Sequence, residues 1–137
     1  MEKTFTILKP DSVKAGNAGA IIQLIEKAGF KIRAMKMVHL TAPQAEGFYY
    51  VHKERPFFRS LISFMTEGPV IMAMLEADDA IQKLRKVMGA TDPAKADAGT
   101  IRKLFATNIE RNAIHGSDGP ETAAFEISYF FNQLEIV

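Results

Sequence analysis

Three segments of the chain carry the hydrophobic pattern of β-strands. Residues 4–9 (TFTILK) have a strand composition and stop before Pro10, which cannot continue a hydrogen-bonded ladder. Residues 30–40 (FKIRAMKMVHL) also predict a strand, and their alternation slips near Met35 in the way that a β-bulge would cause. Residues 69–76 (PVIMAMLE) form a nearly continuous apolar run, which is typical of a strand buried on both faces.

The segments between these strands have the sequence features of helices. From Asn17 to Gly29, apolar residues recur at helical spacing, and the glycine is a natural helix end. Thr41 is a plausible N-cap for a second helix, with Pro43 in its first turn. Pro56 fits the first turn of another short helix.

The second half of the chain predicts one more regular helix and then an irregular segment. Residues 80–88 have a helical pattern, with Asp78 or Asp79 as a cap and Gly89 as the end. Residues 89–111 predict a long loop with short helical turns. Long loops are uncommon in compact domains and are often functional.

The order of the elements indicates the fold class. A short strand leads into His115, and residues 119–131 form a last helix with Pro120 in its first turn. The two halves each resemble a strand-helix-strand unit, which predicts an α+β sandwich with an antiparallel sheet and helices packed on one face. An open parallel α/β sheet is the alternative, and the pattern favours the sandwich.

Composition narrows the classes of function. The 137 residues are 47% hydrophobic, so the chain is expected to form a single domain over residues 1–137 with a substantial core. There are 17 Lys and Arg and 16 Asp and Glu, and the net charge of +1 argues against a protein built to bind nucleic acid. The longest apolar run, residues 70–75, is too short to span a bilayer, and no signal peptide is recognised. Together with the absence of cysteine, this predicts a cytoplasmic protein that needs neither a membrane nor nucleic acid.

One histidine has neighbours suited to binding an anion. His115 is followed by Gly116, which would leave room for a large group beside the ring. Ser117 and Asp118 could cap the last helix, whose N–H groups and positive dipole end would then lie close by. Plain helix capping would also explain the sequence GSD, so both interpretations stay open.

A carboxylate on the last helix is a candidate partner for His115. Ala123, Ile127 and Phe130 belong to one apolar arc at helical spacing, and Glu126 lies beside that arc. An inward carboxylate needs a partner, and pairing with His115 would fix the imidazole tautomer and raise its nucleophilicity. A glutamate on the solvent-exposed surface is the alternative.

Two arginines and a hydroxyl surround the irregular segment. Arg85 lies beside the apolar arc of the helix predicted over residues 80–88, near the C-terminal end of that helix. Thr91 and Arg102 follow in the loop. Such a set suits the binding of phosphate groups, although solvated surface arginines are the commoner case. The chain lacks the G-x-x-x-x-G-K-[ST] loop, so phosphates would not be held by a P-loop.

The sequence around His115 resembles the signature of a known family. Residues 112–118 read NAIHGSD, which is similar to the N-x-x-H-G-S-D motif around the active histidine of nucleoside diphosphate kinases. Further segments match the family in the same order, namely TFTILKPDSV, ERPFF, GPV, RKVMGATDPAKADAGTIRKLF and the EI of the last helix. The resemblance covers nearly the whole chain without large insertions.

The resemblance implies both a fold and a reaction. The fold would be a ferredoxin-like α/β sandwich with a four-stranded antiparallel sheet and helices packed on it. The reaction would transfer the terminal phosphoryl group of a nucleoside triphosphate, usually ATP, to a nucleoside diphosphate. It would run in two steps through a phosphohistidine on Nδ1 of His115, with Glu126 and Ser117 orienting the ring. The resemblance also implies that Tyr49 lines the cleft and belongs to the catalytic residues with His115, Glu126 and Ser117.

The same resemblance implies roles in nucleotide binding. Lys9 and Asn112 match the residues that hydrogen-bond the ribose hydroxyls. Arg85, Thr91 and Arg102 match the phosphate ligands, and arginines are the usual means of neutralising charge in phosphoryl transfer.

The base would be held by stacking. Phe57 matches the aromatic residue that stacks on the base, with Ile109 on the other side and His52 lining the same cleft. Because every base has a π-face, stacking tolerates many nucleotides. The implied cofactor is Mg²⁺, which phosphates and water can hold without protein ligands.

The resemblance also implies a homo-oligomer built from dimers, either a tetramer or a hexamer. The chain departs from the family at Leu104, where aspartate is common, and at Ala77, where glycine is common; neither position matches a catalytic role. Leu104 lies in the loop that the family uses for subunit contacts.

Two other functions remain alternatives. A non-catalytic, nucleotide-binding regulatory member of the family would lack His115 or the phosphate ligands, and all of these residues are present. A ferredoxin-like domain that binds nucleic acid would have a basic face, and the charge balance disfavours it.

Overall fold

The computed structural model describes residues 1–137. Its strands are β1 (Glu2–Leu8), β2 (Lys31–Val38), β3 (Val70–Ala77) and β4 (Ile114–Gly116). Its α-helices are α1 (Pro10–Lys14), α2 (Ala18–Lys27), α3 (Ala42–Phe48), α4 (Phe58–Met65), α5 (Ala80–Met88), α6 (Ile101–Phe105) and α7 (Pro120–Phe130). Each strand and helix predicted from the sequence is present near its predicted position, and α1 is an element that the pattern did not reveal.

One antiparallel sheet joins strands from both halves of the chain in the order β2-β3-β1-β4. β1 lies between β3 and β4, so that Ile7 is opposite Met72 on one side and His115 on the other. This arrangement confirms the α+β sandwich, and the parallel alternative is wrong. The bulge expected near Met35 lies slightly earlier, between Ile32 and Ala34.

Helices cover both faces of the sheet, so the expectation of helices on one face is wrong. The core on the first face joins the sheet to α3, α4 and the end of α7, and includes Phe5, Met74, Phe48, Ile62 and Phe131. The core on the second face joins the sheet to α2 and α5, and includes Leu75, Ile25, Leu84 and Met88. The apolar run in β3 already required this arrangement, because a strand buried on both faces needs a layer of side chains on each side.

Both ends of α5 contact other segments of the chain. Gly89 ends the helix at a φ of 86°, and a β-carbon there would lie 2.5 Å from Oγ1 of Thr100, so conformation and packing both require glycine. Asp79 occupies the N-cap position without capping the helix through its side chain, and Glu2 accepts the hydrogen bond of the Ile81 N–H at 2.8 Å instead. These contacts hold both ends of α5, the helix on which Arg85 lies.

The irregular segment after α5 contains the short helical turns that its sequence predicted. A 3₁₀ turn over Pro93–Lys95 is capped by the side chain of Asp92, and α6 is capped by Thr100. The chain then enters β4 and brings His115 to the edge strand of the sheet. None of the helices is both long enough and apolar enough to cross a membrane.

Candidate active site

His115 is the middle residue of β4, and its ring lies on the first face of the sheet. The ring packs against Phe5, Phe48 and Tyr49, with centroid distances of 6.3, 5.5 and 6.3 Å. About a fifth of the side chain remains exposed (19%), and it lines a cleft. The aromatic packing therefore fixes the plane of the imidazole while one edge stays accessible.

A buried carboxylate on α7 holds the other edge of this ring. Nε2 of His115 lies 3.0 Å from Oε1 of Glu126, and the Ser117 hydroxyl donates to the same oxygen at 2.6 Å. A carboxylate only accepts hydrogen bonds, so Nε2 carries the ring proton and Nδ1 keeps its lone pair. Nδ1 makes no hydrogen bond within the protein and is the nitrogen left for a ligand in the cleft. The structure thus gives Glu126 the inward position that its helical spacing suggested.

Ser117 and Asp118 do not cap α7 as expected. The N-cap is Gly119, and Oγ1 of Thr122 accepts from the backbone N–H groups of Asp118 and Gly119 at 3.1 and 2.9 Å. The Ser117 hydroxyl donates to Glu126. Asp118 instead forms an ion pair with Arg85 at 2.9 Å.

The expected role of Gly116 is also corrected. Residues alternate between the faces of a strand, so the missing side chain of Gly116 faces the second core, away from the His115 ring. A β-carbon on Gly116 would lie 2.8 Å from Sδ of Met88 and 3.1 Å from Cδ2 of Leu84. The glycine therefore allows α5 to pack closely on β4 and does not create space beside the imidazole.

Arg102 is buried and joins three segments around the cleft. Its guanidinium donates to the carbonyl oxygens of Asn112, Gly89 and Ile114 at 3.3, 3.1 and 2.8 Å. Burial, and then the charge of Arg85, lower the pKa of Arg102 to about 10, so it is cationic at neutral pH. A guanidinium has five N–H donors, and these contacts leave donors available for an anion.

Arg85 and Thr91 line the same cleft as Arg102 and His115. The ion pair between Arg85 and Asp118 is largely exposed, and such pairs contribute only about 0–1 kcal/mol. An anion entering the cleft could therefore displace Asp118 from Arg85 at little cost.

Lys9 and Asn112 form a buried polar pair beside the arginines. Nζ of Lys9 donates to Oδ1 of Asn112 at 2.7 Å, and the two residues are 8% and 4% exposed. Burial, and then the neighbouring charge of Arg102, lower the pKa of Lys9 to about 8. The lysine stays cationic at neutral pH in spite of its burial.

Aromatic side chains form the outer wall of the cleft. Phe57 is 46% exposed, and its ring centroid lies 5.6 Å from that of His52. The Tyr49 hydroxyl is buried without a hydrogen-bond partner, and burial raises the pKa of Tyr49, so the phenol remains a proton donor. Leu61 also lines the cleft and was not predicted, although its position four residues after Phe57 on α4 was a usable signal.

Nine of the twelve predicted site residues line this cleft, namely Lys9, Tyr49, His52, Phe57, Arg85, Thr91, Arg102, Asn112 and His115. Ser117 and Glu126 lie behind His115 and contact one another. Ile109 is the exception: it is 60% exposed and lines a neighbouring hollow with Pro93 and Lys103. The role of Ile109 opposite Phe57 stays a prediction.

The chain matches the family model described as nucleoside diphosphate kinase over residues 2–136. It is 62% identical to the nucleoside diphosphate kinase of Trichlorobacter lovleyi and 58% identical to that of Nitratidesulfovibrio vulgaris, in each case over 100% of this chain and 99% of the relative. A crystal form of the Aquifex aeolicus nucleoside diphosphate kinase has a TM-score of 0.97 at 46% identity, covering 99% of both chains. The Halobacterium salinarum nucleoside diphosphate kinase in complex with CDP has a TM-score of 0.95 at 38% identity, covering 99% of this chain and 91% of that one.

The lowered pKa of Lys9 predicts how stability depends on pH. Below pH 8 the lysine is protonated in both states, and the native state bears the full cost of burying the charge. Above pH 8 the unfolded chain binds more protons than the native one, so the free energy of unfolding should rise by about 1–2 kcal/mol between pH 8 and 9.5. Urea unfolding of the nucleotide-free protein measures this change.

Two lysine variants provide the controls for this prediction. Lys9→Met should remove the increase, while Lys14→Met, which changes an exposed lysine of α1, should keep it. The range ends at pH 9.5 because tyrosine begins to ionise in the unfolded chain above this pH. The raised pKa of Tyr49 keeps the native phenol protonated, so this ionisation favours the unfolded chain and lowers the free energy of unfolding. An increase that persists in Lys9→Met would contradict the assignment.

Proposed function

The chain belongs to the nucleoside diphosphate kinase family and is a phosphotransferase that acts on nucleotides, and we propose that it transfers the phosphoryl group through a phosphohistidine on His115. The observation that carries this proposal is the hydrogen bond from Nε2 of His115 to Glu126, which leaves Nδ1 unpaired in a cleft lined by Arg85 and Arg102. A nucleophile with its lone pair beside two cations suits attack on an anionic phosphate.

The first step forms a covalent intermediate. The Nδ1 lone pair attacks the terminal phosphorus of the nucleoside triphosphate, an N–P bond forms, and the bond to the bridging oxygen breaks. The electron pair leaves with the nucleoside diphosphate. The Nε2 proton remains on the ring, and the Glu126 carboxylate stabilises the positive charge that develops there. Ser117 holds the same carboxylate oxygen, so Glu126 keeps its orientation during the step.

The second step uses the same groups in reverse. A terminal oxygen of an acceptor diphosphate attacks the phosphohistidine, the N–P bond breaks, and the electron pair returns to Nδ1. Because each half-reaction needs one nucleotide in one cleft, the kinetics should be ping-pong. A donor and an acceptor with different bases can therefore use the same site.

The remaining cleft residues would bind the nucleotide. Arg85, Thr91 and Arg102 would contact the phosphates, where Arg102 is already fixed by its backbone contacts. Lys9 and Asn112 would hydrogen-bond the ribose, and their mutual bond supports a shared role.

Phe57 would stack on the base, as its exposure at the mouth of the cleft allows, with His52 beside it. The buried and unpartnered hydroxyl of Tyr49 would donate to the phosphates or to the attacking group near His115.

We also propose that Mg²⁺ enters with the nucleotide. No group of three or more His, Cys, Asp or Glu side chains could hold a metal ion by itself, and Asp118 is the one carboxylate that lines the cleft. This donor set fits an ion that would keep phosphate and water ligands, and Asp118 is the carboxylate that could contribute a ligand. When bound, the ion would neutralise charge on the phosphate oxygens.

The proposed biological unit follows the same family resemblance. Residues 1–137 would act as a single domain, since strands from both halves form one sheet. Chains would assemble through dimers into a tetramer or a hexamer, which analytical ultracentrifugation distinguishes. The cytoplasmic location expected from the sequence stays a prediction.

Replacing the proposed nucleophile should separate binding from chemistry. His115→Ala should lower the transfer rate by at least about a thousandfold, while nucleotide affinity changes little. The matched control is His39→Ala, which removes an exposed histidine bonded to the Thr66 carbonyl and should transfer at the wild-type rate. Coupled-enzyme assays and isothermal titration calorimetry measure the two quantities. Transfer at the wild-type rate by His115→Ala would reject His115 as the nucleophile.

Removal of magnesium should stop the reaction without unfolding the protein. In excess EDTA we expect transfer to fall at least about a hundredfold, because the charge on the phosphates is no longer neutralised, and Mg²⁺ should restore it. The unfolding temperature of the nucleotide-free protein should be the same with and without EDTA. Undiminished transfer in EDTA would refute the magnesium requirement.

A further inference from the structure

The backbone turns sharply at Ala113, two residues before His115. Ala113 has a φ of 75° although it is not glycine, and the Ile114 N–H donates to the Asn112 carbonyl at 2.9 Å, which closes a γ-turn around it. A residue with a β-carbon is strained in this conformation, which persists only where the surroundings enforce it. Ala113 is fully buried, so the turn is fixed inside the protein.

The segment from Lys9 to Ser12 encloses both polar groups of Ala113. The Ala113 N–H donates to Oδ2 of Asp11 at 3.1 Å. Its carbonyl accepts from the Lys9 N–H at 3.0 Å and from the Ser12 hydroxyl at 2.7 Å. The carbonyl therefore has two donors, whereas the N–H depends on Asp11 alone.

Asp11 provides the side-chain acceptor for the Ala113 N–H and is also the acidic residue in the first turn of α1. It forms no ion pair, it does not line the cleft, and its second carboxylate oxygen, Oδ1, is buried without a hydrogen-bond partner. Burial raises the pKa of Asp11, which shows that the site is unfavourable for a charge. The bond to Ala113 is the contact that joins this carboxylate to the segment before His115.

We propose that Asp11 is a positioning residue for phosphoryl transfer, because it holds the γ-turn that directs His115 towards Glu126. Without this acceptor the Ala113 N–H would be buried and unpaired, and the turn would relax to an ordinary φ. His115 follows two residues later and would shift relative to Glu126. This inference rests on the proposed function, since it concerns transfer through His115.

The test compares how fast variants are loaded with phosphate from Mg-ATP in a single turnover. In Asp11→Ala we expect the loading rate to fall about 30-fold, because a small displacement of a reacting group costs much of its rate, while the ATP dissociation constant changes less than about threefold. Asp78→Ala, which removes an exposed aspartate before α5, is the matched control and should load at the wild-type rate. Unchanged loading by folded Asp11→Ala overturns the proposal.

A second substitution distinguishes positioning from a general structural role. Glycine adopts a positive φ without strain from a β-carbon. Adding Ala113→Gly to Asp11→Ala should therefore recover at least about tenfold of the lost loading rate, and Ala113→Gly alone should load within about threefold of wild type. A loss that glycine does not restore overturns the proposal, because Asp11 would then act by another route.

Asp11→Asn covers the case in which Asp11→Ala does not fold. Its amide oxygen can still accept the Ala113 N–H, so we expect loading within about threefold of wild type. A loss as large as about 30-fold in folded Asp11→Asn overturns the proposal that the hydrogen bond is what matters. Wild-type protein that takes up no phosphate at all would instead refute the proposed function, so the two failures are distinguishable.

Discussion

The site depends on one buried carboxylate with two donors. Glu126 accepts from Nε2 of His115 and from the Ser117 hydroxyl on a single oxygen. Because a buried carboxylate is costly without partners, Glu126 requires the imidazole to donate, and this fixes which nitrogen has a free lone pair. The tautomer, the ring orientation and the direction of attack all follow from this contact. His115 lies in β4, Ser117 follows that strand and Glu126 lies on α7, so the pairing of β4 with β1 positions the donors.

The cations of the cleft are held before any nucleotide arrives. Arg102 is bonded to three backbone carbonyls, and Lys9 is bonded to Asn112. Their lowered pKa values show that burial is costly for each charge. An incoming polyphosphate would relieve this cost, and it would meet donors that need little reorganisation, which is the physical basis of electrostatic catalysis. Arg85 differs, since its exposed bond to Asp118 leaves it free to move.

Sequence patterns predicted the elements well because local rules govern them. Strand composition predicted β1, alternation predicted β2 and a continuous apolar run predicted β3. Proline and glycine marked the helix ends, and helical spacing placed Glu126 beside the apolar arc of its helix. The failures concern contacts between distant segments. Three features depend on how the elements pack: the helices on both faces of the sheet, the contact of Met88 with Gly116, and the hydrogen bonds to Thr122 at the start of α7. No local pattern marks the positive φ of Ala113, since alanine rarely adopts it. The resemblance to a family supplied most of the site residues, and nine of these line one cleft.

In the proposed mechanism the phosphoryl group is carried on Nδ1 of His115 while Nε2 keeps its proton for Glu126. Nuclear magnetic resonance of protein labelled with ¹⁵N at histidine, after reaction with Mg-ATP without an acceptor, distinguishes the two ring nitrogens. We expect coupling of one phosphorus to Nδ1 of His115 and a protonated Nε2, with the signal discharged by a nucleoside diphosphate. Phosphorus on Nε2, on another residue or on none, in folded protein with bound nucleotide, would rule out this mechanism.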